Sequence, residues 1–78
     1  MNTITYSRIK YGKVNCYLKD IMQNKHITTY RLALISNVKY GIVKRYRDNN
    51  VIRYDANILA KLCFCLDCDL SSILKYEK

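Results

Sequence analysis

Four cysteines and one histidine are the side chains best suited to bind a metal or attack a substrate, and their spacing argues against both roles. Cys63, Cys65 and Cys68 crowd into six residues, while Cys16 and His26 stand apart. Cys65-x-x-Cys68 matches one half of a zinc site, but such a site needs a second pair of ligands a dozen or more residues away. A cysteine nucleophile needs a base beside it, and His26 has no evident partner. With two glycines in 78 residues there is no phosphate-cradling loop, and no Ser/His/Asp spacing is present. No catalysis and no cofactor are expected, and the thiols are expected to behave as small buried hydrophobes.

The other conspicuous chemistry is electrostatic. Residues 39–47 read KYGIVKRYR, four basic side chains and two tyrosines around one glycine. The net charge of +8 is unevenly spread. Residues 1–53 hold eleven Lys/Arg against Asp20 and Asp48, or +9, whereas residues 54–78 hold three lysines against four acids, or −1. A lysine-rich composition alone would raise the basic count everywhere and would not segregate the acids. Segregation of this kind suits a polyanionic partner such as nucleic acid.

What must position that segment is a small fold. Seventy-eight residues make one domain, and half of them are apolar, enough for a globular core and too many for disorder. The longest apolar run, Leu62–Leu66, is far below the ~20 residues that cross a bilayer. The N-terminal stretch lacks the apolar segment of a secretory signal, so the chain is read as cytoplasmic. Residues 1–12 alternate weakly (Ile4, Tyr6, then Ile9, Tyr11) and are read as a separate extended segment or arm carrying Arg8 and Lys10. Residues 13–78 form the domain. Val14, Leu18, Ile21 and Met22 mark one face of a helix running to about Lys25. Thr28 is the expected N-cap of a second helix whose apolar set is Leu32, Ala33 and Ile35. Asn37 is placed to adopt the left-handed conformation of a tight turn, and a third helix covers about 39–47 with Val43 and Tyr46 inward. Asp55 caps a fourth helix with Leu59, Leu62, Cys63 and Leu66 on its core face. Asp69 caps a last one bearing Leu70, Ile73 and Leu74. The expected architecture is all-α, a compact bundle of four to five short helices.

Two helices joined by so tight a turn, with small Ala33 permitting close approach, have the geometry of a helix-turn-helix. The stretch ITTYRLALISNVKYGIVKRYRDN resembles the helix-turn-helix of phage-repressor-like (Cro-like, XRE-type) transcriptional regulators through Thr28, Leu32, Ala33, Val38 and Val43, with Asn37 where glycine is usual. The resemblance continues through RYDANILAKLCFCLDCDLSSILKY and covers about residues 14–76, matching a compact single-domain subgroup of that lambda-repressor-like fold.

The resemblance implies sequence-specific binding of double-stranded DNA by a small regulator, a repressor by expectation, with helix 39–47 in the major groove. Base reading then falls on Tyr40, Gly41, Lys44 and Arg45, with Ile42 at the margin. Phosphate contacts fall on Thr29, Lys39, Arg47 and Arg53. Arg45 has the fork that matches guanine O6 and N7. Family members often pair an arginine late in the first helix with a glutamate ending the reading helix. Met22 and Arg47 occupy those positions here, so a hydrophobic contact is expected to replace the pair and to free Arg47 for phosphate. Ile58, Phe64 and Cys65 lie off the core face and mark a possible surface for a weak homodimer. The alternative is a protein-interaction module of antitoxin or adaptor type on the same scaffold. No membrane and no small-molecule substrate are expected as partners.

Overall fold

A computed structural model describes residues 10–78. In chain order it contains β1 (Lys13–Cys16), α1 (Leu18–Asn24), α2 (Thr29–Ser36), α3 (Tyr40–Arg47), α4 (Ala56–Leu66), α5 (Leu70–Ile73) and β2 (Leu74–Glu77). Five short helices enclose one core, as the periodicity predicts. Leu18, Leu32, Leu62, Leu66, Ile73 and Val43 are its fully buried side chains. Each fully buried Leu, Ile or Val contributes about 1.5–3 kcal/mol, which is the main force holding helices too short to persist alone.

Local chemistry sets the boundaries. The Thr28 hydroxyl accepts from Arg31 N at 3.1 Å and starts α2. Asp55 accepts from Asn57 N and Ile58 N and starts α4. Asn37 ends α2 in the left-handed conformation (φ 57°), and Val38 N bonds back to Ala33 O at 3.2 Å. Asp67 ends α4 the same way (φ 49°). Asp69 precedes α5, though its side chain makes no capping bond.

The first helix is shorter than expected. Lys13–Cys16 is not helical; it pairs antiparallel with Leu74–Glu77, Cys16 opposite Leu74 and Val14 opposite Tyr76. Val14 is therefore half exposed rather than in the core, and its i, i+4 relation to Leu18 is fortuitous. The cause is non-local. Tyr17 N bonds to Ile73 O, and Asn49 Oδ1 accepts from Cys16 N at 2.8 Å, so the chain is held extended through Cys16. Residues 1–9 lie outside the described residues, and so does most of the expected arm.

Two smaller corrections concern faces. Ile35 is exposed, and Ser36 takes the buried position on α2, its hydroxyl donating to Ala33 O. The inward set is thus Thr29, Leu32, Ala33 and Ser36, a 3.6-residue stripe of which two members are polar. Leu70 is also exposed, since α5 is a single turn that buries only Ile73; Leu74 is half-buried at the start of β2. Cys63 is half-buried, packed on the core rather than inside it.

Candidate nucleic-acid interface

Helix α3 is divided between two surroundings. Val43 and Tyr46 are buried, and Tyr46 is anchored further: its hydroxyl accepts from Asp55 N at 2.9 Å, and its ring meets Tyr54 edge-on at 5.6 Å. Tyr46 thereby fixes the helix to the start of α4. The opposite face carries Tyr40, Gly41, Lys44 and Arg45, all exposed. Ile42 lies between the two faces, half-buried against the core.

A Cβ built on Gly41 would meet nothing within 4 Å. Its φ is negative, so neither packing nor backbone conformation requires glycine there. The residue costs its helix roughly 0.5–1 kcal/mol relative to alanine. The fold itself therefore gives no reason for glycine at this position, and the backbone of α3 is open to solvent there.

Helix α3 is also short of support of its own. Lys39 precedes it without a capping bond, and a cation there opposes the helix dipole. Its first turn holds no acid, while Lys44, Arg45 and Arg47 complement the dipole only in the last turn. Arg45 Nε reaches Asn50 O at 3.4 Å and shares a shallow groove with Arg53, Val51 and Ile58, so two guanidinium groups flank one edge of the exposed face.

Arg47 departs from expectation. It is not free: its Nε and Nη2 donate to Asp48 Oδ1 and Oδ2 at 2.8 and 3.0 Å, and its Nη1 donates to Thr29 Oγ1 at 2.8 Å. Hydrogen bonding to the Asp48 carboxylate raises the Arg47 guanidinium above its ordinary value and holds Asp48 below the usual carboxylate range. Thr29 is itself buried, so its hydroxyl serves this link. Two residues expected as independent phosphate contacts form one brace between the C-terminus of α3 and the N-terminus of α2. Met22 lines the same groove as Arg47, along with Lys19, Gln23 and Thr28. The missed participant is Asp48, and its signal was available: an acid immediately after a basic helix.

The three residues expected at a self-association surface sit in different surroundings. Ile58 faces the groove beside Arg45. Cys65 turns its thiol toward Ile35 O at 3.7 Å. Phe64 projects outward, 87% exposed. Among the described residues no group of three His, Cys, Asp or Glu side chains is placed to hold a metal, and no helix is long and apolar enough to cross a membrane.

Comparison with known proteins agrees with this geometry. No curated protein matches the chain. A solved structure of a candidate DNA-binding protein from Bacteroides fragilis superposes with a TM-score of 0.71 at 17% identity, covering 81% of this chain and all of the other, a likeness of fold. The model of the Cro/C1-type helix-turn-helix DNA-binding domain matches residues 17–78, from the start of α1 to beyond β2. By that match the chain belongs to the Cro/C1-type helix-turn-helix family.

Proposed function

We propose that the protein is a sequence-specific regulator of transcription, a repressor, that inserts α3 into the major groove of double-stranded DNA. The observation that carries this reading is Gly41: a helix position with open space before it, on the face that also presents Tyr40, Lys44 and Arg45. The major groove admits one α-helix, and each base pair offers a distinct donor and acceptor pattern there. Arg45 reads a guanine, with Arg53 beside it at the backbone. Lys44 reaches a guanine or phosphate, and Tyr40 covers a thymine methyl. Lys39 meets phosphate at the N-terminus of α3, where an anion would complete what the uncapped helix lacks. Arg47, oriented by Asp48 and Thr29, presents its remaining edge to phosphate near the N-terminus of α2.

Selection of bound sequences from a random DNA library tests the reading. The parent protein is expected to enrich one motif, and Lys44→Ala and Arg45→Ala to relax it while the fold, followed by circular dichroism, persists. Affinity should fall with salt at a log–log slope of about −0.9 per neutralised phosphate. If no sequence is enriched over random DNA at moderate salt, the specific-regulator reading is wrong. The exposed Phe64 supports a weak homodimer that would read two half-sites one helical turn apart. Light scattering that shows only monomer at high concentration would remove that part.

A further inference from the structure

The C-terminus of α4 brings two thiols together in a way the linear spacing conceals. Cys65-x-x-Cys68 looks like the pair, yet the Cys65 thiol points to Ile35 O on α2. The partner of Cys68 is Cys63. Helix α4 closes with both bonds of a Schellman motif: Cys68 N to Cys63 O at 3.1 Å and Asp67 N to Phe64 O at 3.3 Å, around the left-handed Asp67. In this motif the residues joined by the longer closure characteristically touch side chain to side chain, normally as two hydrophobes. Here both are cysteines.

We propose that Cys63 and Cys68 are the site of a reversible intramolecular disulfide, formed by exchange with a small-molecule disulfide. The direct backbone bond between the two residues limits their Cα separation to no more than about 7 Å for standard bond lengths, and to less for any bent path. A disulfide spans Cα distances of about 4.4–6.8 Å. Both thiols are half-buried, so a small oxidant has access, whereas Cys16 is closed in the core. The two thiols are close enough that Cys63 influences the ionisation of Cys68, which burial chiefly holds above its ordinary value. Cys65 is two residues from Cys63 on the same helix, and side chains so spaced do not face each other.

The exchange balances in two steps. One protein thiolate attacks a sulfur of the small disulfide, forming a mixed disulfide and releasing one small thiol, which takes up the proton lost. The second protein thiolate then attacks the mixed disulfide at the protein sulfur and expels the second small thiol. The protein loses two protons and two electrons, and one small disulfide becomes two thiols. The ring so formed encloses Phe64–Asp67 and locks the turn from which α5 departs. The closed loop is short, so its stabilisation of the fold is small. Its effect is local, on the groove that Cys63 and Leu70 line together. The exchange is independent of DNA binding.

The test is to incubate the reduced, folded protein with excess oxidised glutathione, quench in acid and measure the intact mass. A monomer whose Cys63 and Cys68 together have lost two hydrogens is expected, with any glutathione adduct confined to Cys65, which is as accessible as the pair. Fragmentation of its tryptic peptide, residues 62–75, should place the bond between Cys63 and Cys68. Cys65→Ser should behave as the parent, and Cys63→Ser or Cys68→Ser should stop at the mixed disulfide. A protein disulfide involving Cys65 or Cys16, a disulfide-linked dimer, a persistent adduct on Cys63 or Cys68 of the parent, or four free thiols would each overturn the proposal. Mapping the parent keeps the test decisive should a serine variant fail to fold.

Discussion

Helices α3 and α4 form a contrast in how much each helix does for itself. Helix α4 runs eleven residues, is started by Asp55 through two hydrogen bonds, and is closed by the paired bonds at Asp67. Helix α3 runs eight, has no side-chain cap, carries a lysine where an acid would help, and spends one position on a glycine that nothing in the fold requires. It is held almost entirely by what it packs on: Val43 and Tyr46 beneath it, the Tyr46 hydroxyl on Asp55 N, and the Arg47 brace to Thr29. The scaffold is locally consistent and the exposed helix is not. Departures from local consistency collect where an external partner has to be met.

The contrast breaks most visibly at the core they share. Leu62→Ala removes a fully buried side chain of α4 and should cost about 2–5 kcal/mol, a large part of the stability of so small a domain. Denaturant unfolding checks this, and a loss well under 1 kcal/mol would mean that α4 is not the scaffold described. Arg45→Ala, on the exposed face of α3, should leave stability nearly unchanged while reducing discrimination at one base pair by about 1–3 kcal/mol, measured with matched and mismatched duplexes. Asp55→Ala takes the cap from α4 and should cost about 1 kcal/mol. The same change made at Lys39, which caps nothing, should cost nothing measurable.

Gly41→Ala sharpens the comparison further, because two quantities should move in opposite directions. The variant should stabilise the fold by about 0.5–1 kcal/mol and at the same time weaken specific DNA binding. A variant that is more stable and binds as well as the parent would show that the open space before Gly41 is not used. The smallest effect belongs to the ribbon. Glu77 accepts from Tyr17 and, at 2.6 Å, from Asn15, and these bonds hold its carboxyl below the ordinary value of 4.5. A depressed carboxyl stabilises the fold fully above that ordinary value and loses the contribution as pH falls through the depressed one. The β1–β2 pairing should therefore loosen in acid only, visible as amide shift changes at Val14 and Tyr76, and Glu77→Gln should abolish the pH-dependent part.

The elements that were legible in the sequence are those whose cause is local. Thr28, Asn37 and Asp55 announce their caps through their own side chains, and Val43 and Tyr46 announce the inward face of α3 by spacing. Val14 misled because its extended conformation is imposed by β2, sixty residues away, through bonds invisible to periodicity. Ile35 and Ser36 misled for a different reason. A stripe that buries a serine bonded to its own helix is outranked, on hydrophobicity alone, by its exposed neighbour. At the candidate site, the exposure of Tyr40, Lys44 and Arg45 was predictable. Arg47 is expected to be free because the position on α1 that would pair with it holds Met22; its actual partners, Asp48 one residue on and Thr29 on α2, lie outside that pattern.

The ribbon also bears on the order in which the molecule assembles. Cys16 lies opposite Leu74, so pairing the two strands closes a loop that contains all five helices of the described residues. Closing a long flexible loop before its contents are compact is entropically unfavourable, whereas the α2–α3 and α4–α5 turns close over a few residues. The helices are expected to collapse first and the strands to meet last. Native-state hydrogen exchange should then find the amides of β1 and β2 opening without the bundle; exchange in step with Leu62 would refute this order. The seam between β1 and β2 is then expected to be a late fastening, one that comes undone while α3 is still held in place.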